Sequence, residues 1–122
     1  MPSKQRVDAF IAMVLTNKHD DAIAAFYAED ASIEEPGMPP RQGLATLVAG
    51  EKAVLASVAS VVTHPPDFVA IDGDRVAIHW TFDFVNKEGK RRHVTEVAIQ
   101  EWREDKILRE RFFYDKASAA WK

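Results

Sequence analysis

Residues 72 to 84 read D-G-D-R-V-A-I-H-W-T-F-D-F. From Val76 onward, Ile78, Trp80, Phe82 and Phe84 alternate with Ala77, His79, Thr81 and Asp83. A period of two belongs to a strand, whose successive side chains point to opposite faces, and one face here is a row of large apolar groups. Asp72-Gly73-Asp74 is a turn, with Phe68 to Ile71 as a shorter strand before it. Downstream, N-K-E-G-K at 86–90 leads to a second long strand from Arg91 to Trp102, and R-E-D-K at 103–106 to a third from Ile107 to Asp115. The three long strands are predicted to form an antiparallel meander.

Upstream the period is helical. Val7, Phe10, Ile11, Val14 and Leu15 fall at i, i+3, i+4, i+7 and i+8, one face of a helix. Thr16-Asn17-Lys18-His19 breaks it, and Asp20 or Asp21 is predicted to cap a second, shorter helix with Ile23, Phe26 and Tyr27 on one side and Glu29-Asp30 as its charged exit. Ala31 to Glu35 reads as a short strand, because Pro36 disfavours a helical Glu35 and G-M-P-P beyond it is irregular. After Gly43 a long helix carries Leu44, Leu47, Val48, Val54, Leu55, Val58, Val61 and Val62 up to His64-Pro65-Pro66. Gly50 inside it costs about 1 kcal/mol relative to alanine. Three helices followed by a meander predict one α+β domain spanning residues 1–122, with the helices on one face of the sheet.

At 122 residues, one domain with a real core is expected. A net charge of -3, with 16 dispersed Lys and Arg, argues against a nucleic-acid partner. The absence of cysteine excludes disulfides and thiolate chemistry and fits a reducing compartment. No signal peptide or membrane span is read at the N-terminus, so a cytoplasmic protein is expected. No H-E-x-x-H spacing, glycine-rich phosphate loop or G-x-S-x-G elbow occurs, and neither a metal nor a cofactor is expected.

The order of these elements, with the blocks F-Y-A-E-D-A-S-I-E-E-P, G-x-x-x-L, D-G-D-R-V-A-I-H-W-T-F and K-I-L-R-E-R-F-F-Y-D, resembles the SnoaL-like and ketosteroid-isomerase-like branch of the nuclear transport factor-2-like superfamily. The likeness covers nearly the whole chain. It implies a cystatin-like cone, in which three N-terminal helices pack on a strongly curved antiparallel sheet around an apolar pocket, within a homodimer. Relatives include isomerases, polyketide cyclases, epoxide hydrolases and dehydratases, and also non-catalytic binding modules.

In ketosteroid isomerases a strand-end acid before proline is the general base. I-E-E-P sets Glu35 at that position, with Glu34 outward; a slip of one residue exchanges them. A carboxylate in an apolar hollow loses hydration, its pKa rises, and it becomes a better base beside a carbonyl. The family's oxyanion-binding tyrosine and aspartate match Phe10, which has no hydroxyl, and Gln100, which donates only from an amide. By the two-residue period Glu110, Phe112 and Tyr114 share a face, which the resemblance turns inward. Tyr114 then stands in as hydroxyl donor, and repulsion between Glu35 and Glu110 is expected to raise at least one pKa.

Glu35, Tyr114, Gln100 and Glu110 are therefore the expected catalytic set. Phe10, Val14, Phe26, Trp80, Phe82 and Phe112 are the expected pocket wall. Arg92 has the parity of Gln100 but lies near a hairpin. His79 and His93 have outward parity, and His19 and His64 read as loop or cap residues. The outer face mixes His79, Thr81, Asp83, Val97, Arg109 and Phe113, too apolar to stay wet, and is expected to bury itself in a homodimer. The function implied is a cofactor-free isomerase, cyclase or dehydratase acting on a hydrophobic carbonyl compound. The alternative is a non-catalytic module that binds a small hydrophobic ligand or only dimerises.

Overall fold

A computed structural model describes residues Met1–Lys122. Helices α1 (Lys4–Val14) and α2 (His19–Phe26) precede strands β1 (Tyr27–Glu34) and β2 (Arg41–Gln42). Helix α3 (Leu44–Ser57) follows, then β3 (Val58–Thr63), β4 (Phe68–Asp72), β5 (Arg75–Asn86), β6 (Arg91–Arg103) and β7 (Lys106–Phe113). The strands form one curled sheet ordered β2-β1-β7-β6-β5-β3, with β4 also on β5. β3 pairs with the C-terminal half of β5 and β4 with its N-terminal half, so the long strand carries two short neighbours end to end along one edge.

The predicted meander is present as β5, β6 and β7. Its inner face presents Val76, Ile78, Trp80 and Phe82 from β5 and Val94, Ala98, Gln100 and Trp102 from β6, all buried. Against them lie Val7, Phe10 and Val14 of α1, Ala22, Ile23 and Phe26 of α2, and Leu47 of α3. A bulge where Trp102 pairs with Ile107 adds one residue to β7, so Ile107 and Glu110 both point inward although they differ in parity.

Several boundaries differ from expectation. The third helix stops at Ser57, and Val58–Thr63 is a strand. Val58, Val61 and Val62 satisfy helical spacing, but a V-A-S-V-V-T run of β-branched residues packs better on a pleated edge beside β5. The second helix ends at Phe26, and Tyr27 is the first residue of β1 rather than part of a helical face. Glu29 and Asp30 are exposed within that strand, where its register is irregular. Lys18 occupies the N-cap of α2 without a side-chain bond. Asp20 and Asp21 sit inside the first turn, where their charge suits the helix dipole. The sheet is not wholly antiparallel, because β1 runs parallel to β7. Tyr114 and Asp115 lie past the end of β7. No helix is long and apolar enough to cross a membrane.

Candidate active site

Between the helices and the inner face of the sheet is a cavity of about 390 Å³. Phe10 and Val14 of α1, Trp80 and Phe82 of β5 and Phe112 of β7 line it. Phe26 does not. It lies behind the wall, edge-on to Phe10 at 5.5 Å with the Arg6 guanidinium over its ring, and belongs to the core.

Glu35 follows the last residue of β1 and reaches the cavity, whereas Glu34 turns outward to Arg111 at 3.3 Å. The strand's alternation produces that division. Glu35 is not an isolated carboxylate in a greasy hollow, however. One oxygen accepts from Tyr114 Oη at 3.3 Å, the other lies 3.3 Å from Arg41 Nη2, and the side chain is 31% exposed. Room for Arg41 depends on Gly50, where a Cβ would come within 2.9 Å of its Nη1. Burial, then the charge of Glu35, raises the pKa of the Tyr114 phenol.

Gln100 is fully buried and does not line the cavity. Its amide donates to Glu110 Oε2 at 2.6 Å and its carbonyl accepts from Trp102 Nε1 at 2.9 Å, so the side chain serves its buried neighbours and not a bound molecule. Glu110 takes a second, short hydrogen bond from the Tyr27 hydroxyl. Burial pushes Glu110 up to about 7 although both bonds pull it down. Tyr27 is held well above the ordinary phenol value by its own burial and then by the Glu110 charge. Tyr27→Phe should therefore lower stability by about 1–3 kcal/mol, because Glu110 loses a buried donor. Urea denaturation of the two proteins at pH 7 measures the difference, and equal midpoints would mean that the bond contributes nothing.

Sequence reasoning passed over the most exposed consequence of this geometry. Glu96 on β6 pairs with Trp80 across the ladder and faces the cavity. It forms no hydrogen bond or ion pair with another side chain, and no buried side-chain polar atom in the protein lacks a partner, so its free carboxyl opens onto the cavity. Burial, then repulsion from Glu110 and Glu35, pushes it up to about 8. Counting inward parity back from Gln100 through Ala98 would have found it. Arg41 and Arg92 also line the cavity, the latter donating to the Ala119 carbonyl at 2.7 Å, so arginines do reach the wall. His19 is likewise a wall residue rather than a loop or cap residue. His79 and His93 lie on the outer face, paired with Asp67 and Asp83, and no group of His, Asp and Glu has a metal-holding arrangement.

An inward apolar sheet face and a cavity between it and three helices are the arrangement that the sequence resemblance implied. A profile of the SnoaL-like domain matches residues 7–110. This chain belongs to the SnoaL-like domain family. No curated protein matches the chain. Among solved structures, this SnoaL-like protein is similar to a nuclear transport factor-2-like protein of unknown function from Burkholderia pseudomallei, at 16% identity over 93% of this chain and 90% of that one, TM-score 0.79. It is also similar to a protein from Mesorhizobium loti named as a SnoaL-like polyketide cyclase, at 22% identity over 93% and 100%, TM-score 0.77. A third is an LEH-like epoxide hydrolase of M. tuberculosis, at 18% over 94% and 84%, TM-score 0.74. At such identities the likeness is one of fold, a nuclear transport factor-2-like arrangement of three helices on a curled sheet.

Proposed function

We propose that this SnoaL-like protein is a cofactor-independent enzyme that moves a proton on a hydrophobic carbonyl compound, as an isomerase, cyclase or dehydratase does. The observation that carries this reading is Glu96, a carboxyl with no side-chain partner facing a largely apolar cavity, where burial pushes its pKa up to about 8. A neutral carboxylic acid donates a strong hydrogen bond to a carbonyl oxygen as that oxygen gains charge. Glu35 is the base. It takes the proton from the carbon beside the carbonyl, and the electron pair of that C–H bond becomes the enol double bond while Glu96 gives its hydrogen bond to the oxygen. Glu35 then returns the proton to another carbon, or gives it to a β-hydroxyl, which leaves as water as the enolate electrons form the new C=C bond. Tyr114 and Arg41 hold Glu35 in place, and Tyr27 and Gln100 hold Glu110 in the cavity wall.

Two earlier assignments move accordingly. The oxygen-binding role expected of Gln100 and Tyr114 passes to Glu96, because the amide of Gln100 serves Glu110 and the Tyr114 hydroxyl serves Glu35. The test is deuterium exchange of the α-protons of 1-tetralone in D₂O, followed by NMR. Catalysed exchange above the buffer rate supports the enzyme. A ketone that saturates the cavity with exchange no faster than in buffer leaves a ligand-binding module.

A homodimer through the outer sheet face belongs to the same proposal. Val62 and Phe113 pair across the ladders with Asp83 and Val97 on that face, at 50% and 46% exposure, and Phe68 pairs with His79 at 58%. Sedimentation equilibrium at micromolar concentration should return twice 13.7 kDa; the single-chain mass would remove the dimer.

A further inference from the structure

His19 opens α2, and its ring stands edge-on to Phe82, centroids 5.3 Å apart, in the cavity wall. Its hydrogen bonds determine which nitrogen is free. The backbone N–H of Thr63 donates to Asn17 Oδ1 at 3.1 Å, so that atom is an acceptor, and the Thr63 hydroxyl donates a second hydrogen bond to it at 2.8 Å. Thr63 Oγ1 is then the acceptor for His19 Nε2, 2.8 Å away, which carries a hydrogen. Nδ1 is left facing Glu51 Oε1 at 3.6 Å, too far for a direct hydrogen bond. The chain is anchored at its far end by Asn17, whose φ of 69° is in the left-handed region that asparagine tolerates better than most residues.

His19 and Glu51 are nearly enclosed, with side chains 11% and 23% exposed, and both open onto the cavity. A gap of this kind between two polar atoms is completed by a third group that bonds both. We propose that His19 and Glu51 form a subsite for a hydroxyl group of the bound molecule. When Nδ1 carries a hydrogen as well, the hydroxyl accepts from Nδ1–H and donates to Glu51 Oε1, bonding both. An ether or carbonyl oxygen accepts from the ring but has nothing to donate to Glu51, so a hydroxyl is the group that completes the pair. Phe82 and Trp80, stacked at 5.6 Å, supply an apolar middle. The substrate class narrows to a hydroxylated carbonyl compound, polar at two ends. Only its carbonyl end rests on the reaction proposed above.

The test compares 1-tetralone with 6-hydroxy-1-tetralone by titration calorimetry. The wild-type protein should bind the hydroxylated ketone about fivefold or more tightly, the worth of one net hydrogen bond, and His19→Phe should abolish the preference while still binding 1-tetralone. Equal affinities in the wild type, or a preference that survives His19→Phe, overturn the subsite. The unsubstituted protein gives a readout that needs no variant: ¹⁵N-edited spectra should place a hydrogen on His19 Nε2, and a ring protonated on Nδ1 alone overturns the proposal. Preference without α-proton exchange supports the subsite and removes the reaction. Exchange without preference does the reverse.

Discussion

Raising the pH from 5 to 8 should lower the unfolding free energy by roughly 2–4 kcal/mol, and Glu96→Gln should flatten much of that slope. The folded protein keeps a proton on Glu96 up to about pH 8 and on Glu110 up to about pH 7. The unfolded chain releases both near the ordinary carboxylate value of 4.5. Between those limits the folded state binds more protons than the unfolded one, so stability must fall as pH rises. The contribution is fully present below about 4.5 and is lost as pH climbs through 7 and 8. Each shift by itself corresponds to roughly 3–5 kcal/mol. Water in the cavity and the repulsion that the two carboxyls share reduce the sum, because they titrate as a pair. Asp20, Asp30 and Asp83, all lowered, act with the opposite sign at acid pH and lie outside this window. Urea denaturation at pH 5, 6, 7 and 8 measures the slope. A flat wild-type profile, or a slope unchanged in Glu96→Gln, would mean that Glu96 is hydrated as if exposed.

The inner row of β5 was legible because each of its large side chains had to face one way, and no helix could reconcile that period with the turns beside it. That Glu34 and Glu35 point apart followed from the same alternation, but which of them faces inward stayed open to a slip of one residue until β1 ended at Glu34 and left Glu35 on the cavity. The start of β3 was not, because Val58, Val61 and Val62 meet helical and strand spacing alike and only the edge of β5 selects between them. Tyr27 was hidden by a helix that runs directly into β1, so its side chain looked helical until the strand turned it toward Glu110. Glu96 was within reach of parity counting but lay among apolar neighbours, where an acid draws less notice than one beside a proline. His19 could not be read locally at all. Its role depends on Thr63, which is 44 residues away in a strand that the sequence presented as helix.

Glu35→Gln should reduce catalysed α-proton exchange by about 10²–10⁴-fold while leaving ketone affinity and folding nearly unchanged. Glutamine keeps the length and the carbonyl oxygen of the side chain, so it can still accept from Tyr114 or Arg41, and with a side chain 31% exposed the exchange of a carboxylate for an amide leaves no buried charge behind. It cannot take a proton. The loss belongs in kcat rather than KM, because an interaction made only as the proton moves stabilises the transition state and not the bound ketone. Glu96→Gln predicts a different pattern from the same assay. An amide still donates a hydrogen bond to the oxygen but is a weaker donor than a carboxylic acid, so the drop should be smaller, and the fall in wild-type rate that accompanies deprotonation of Glu96 near pH 8 should disappear. Two variants of equal charge change thus separate base from acid. If Glu35→Gln exchanges protons at the wild-type rate, Glu35 is a rim carboxylate held by Arg41 and Tyr114, and the base must be sought elsewhere on the cavity wall.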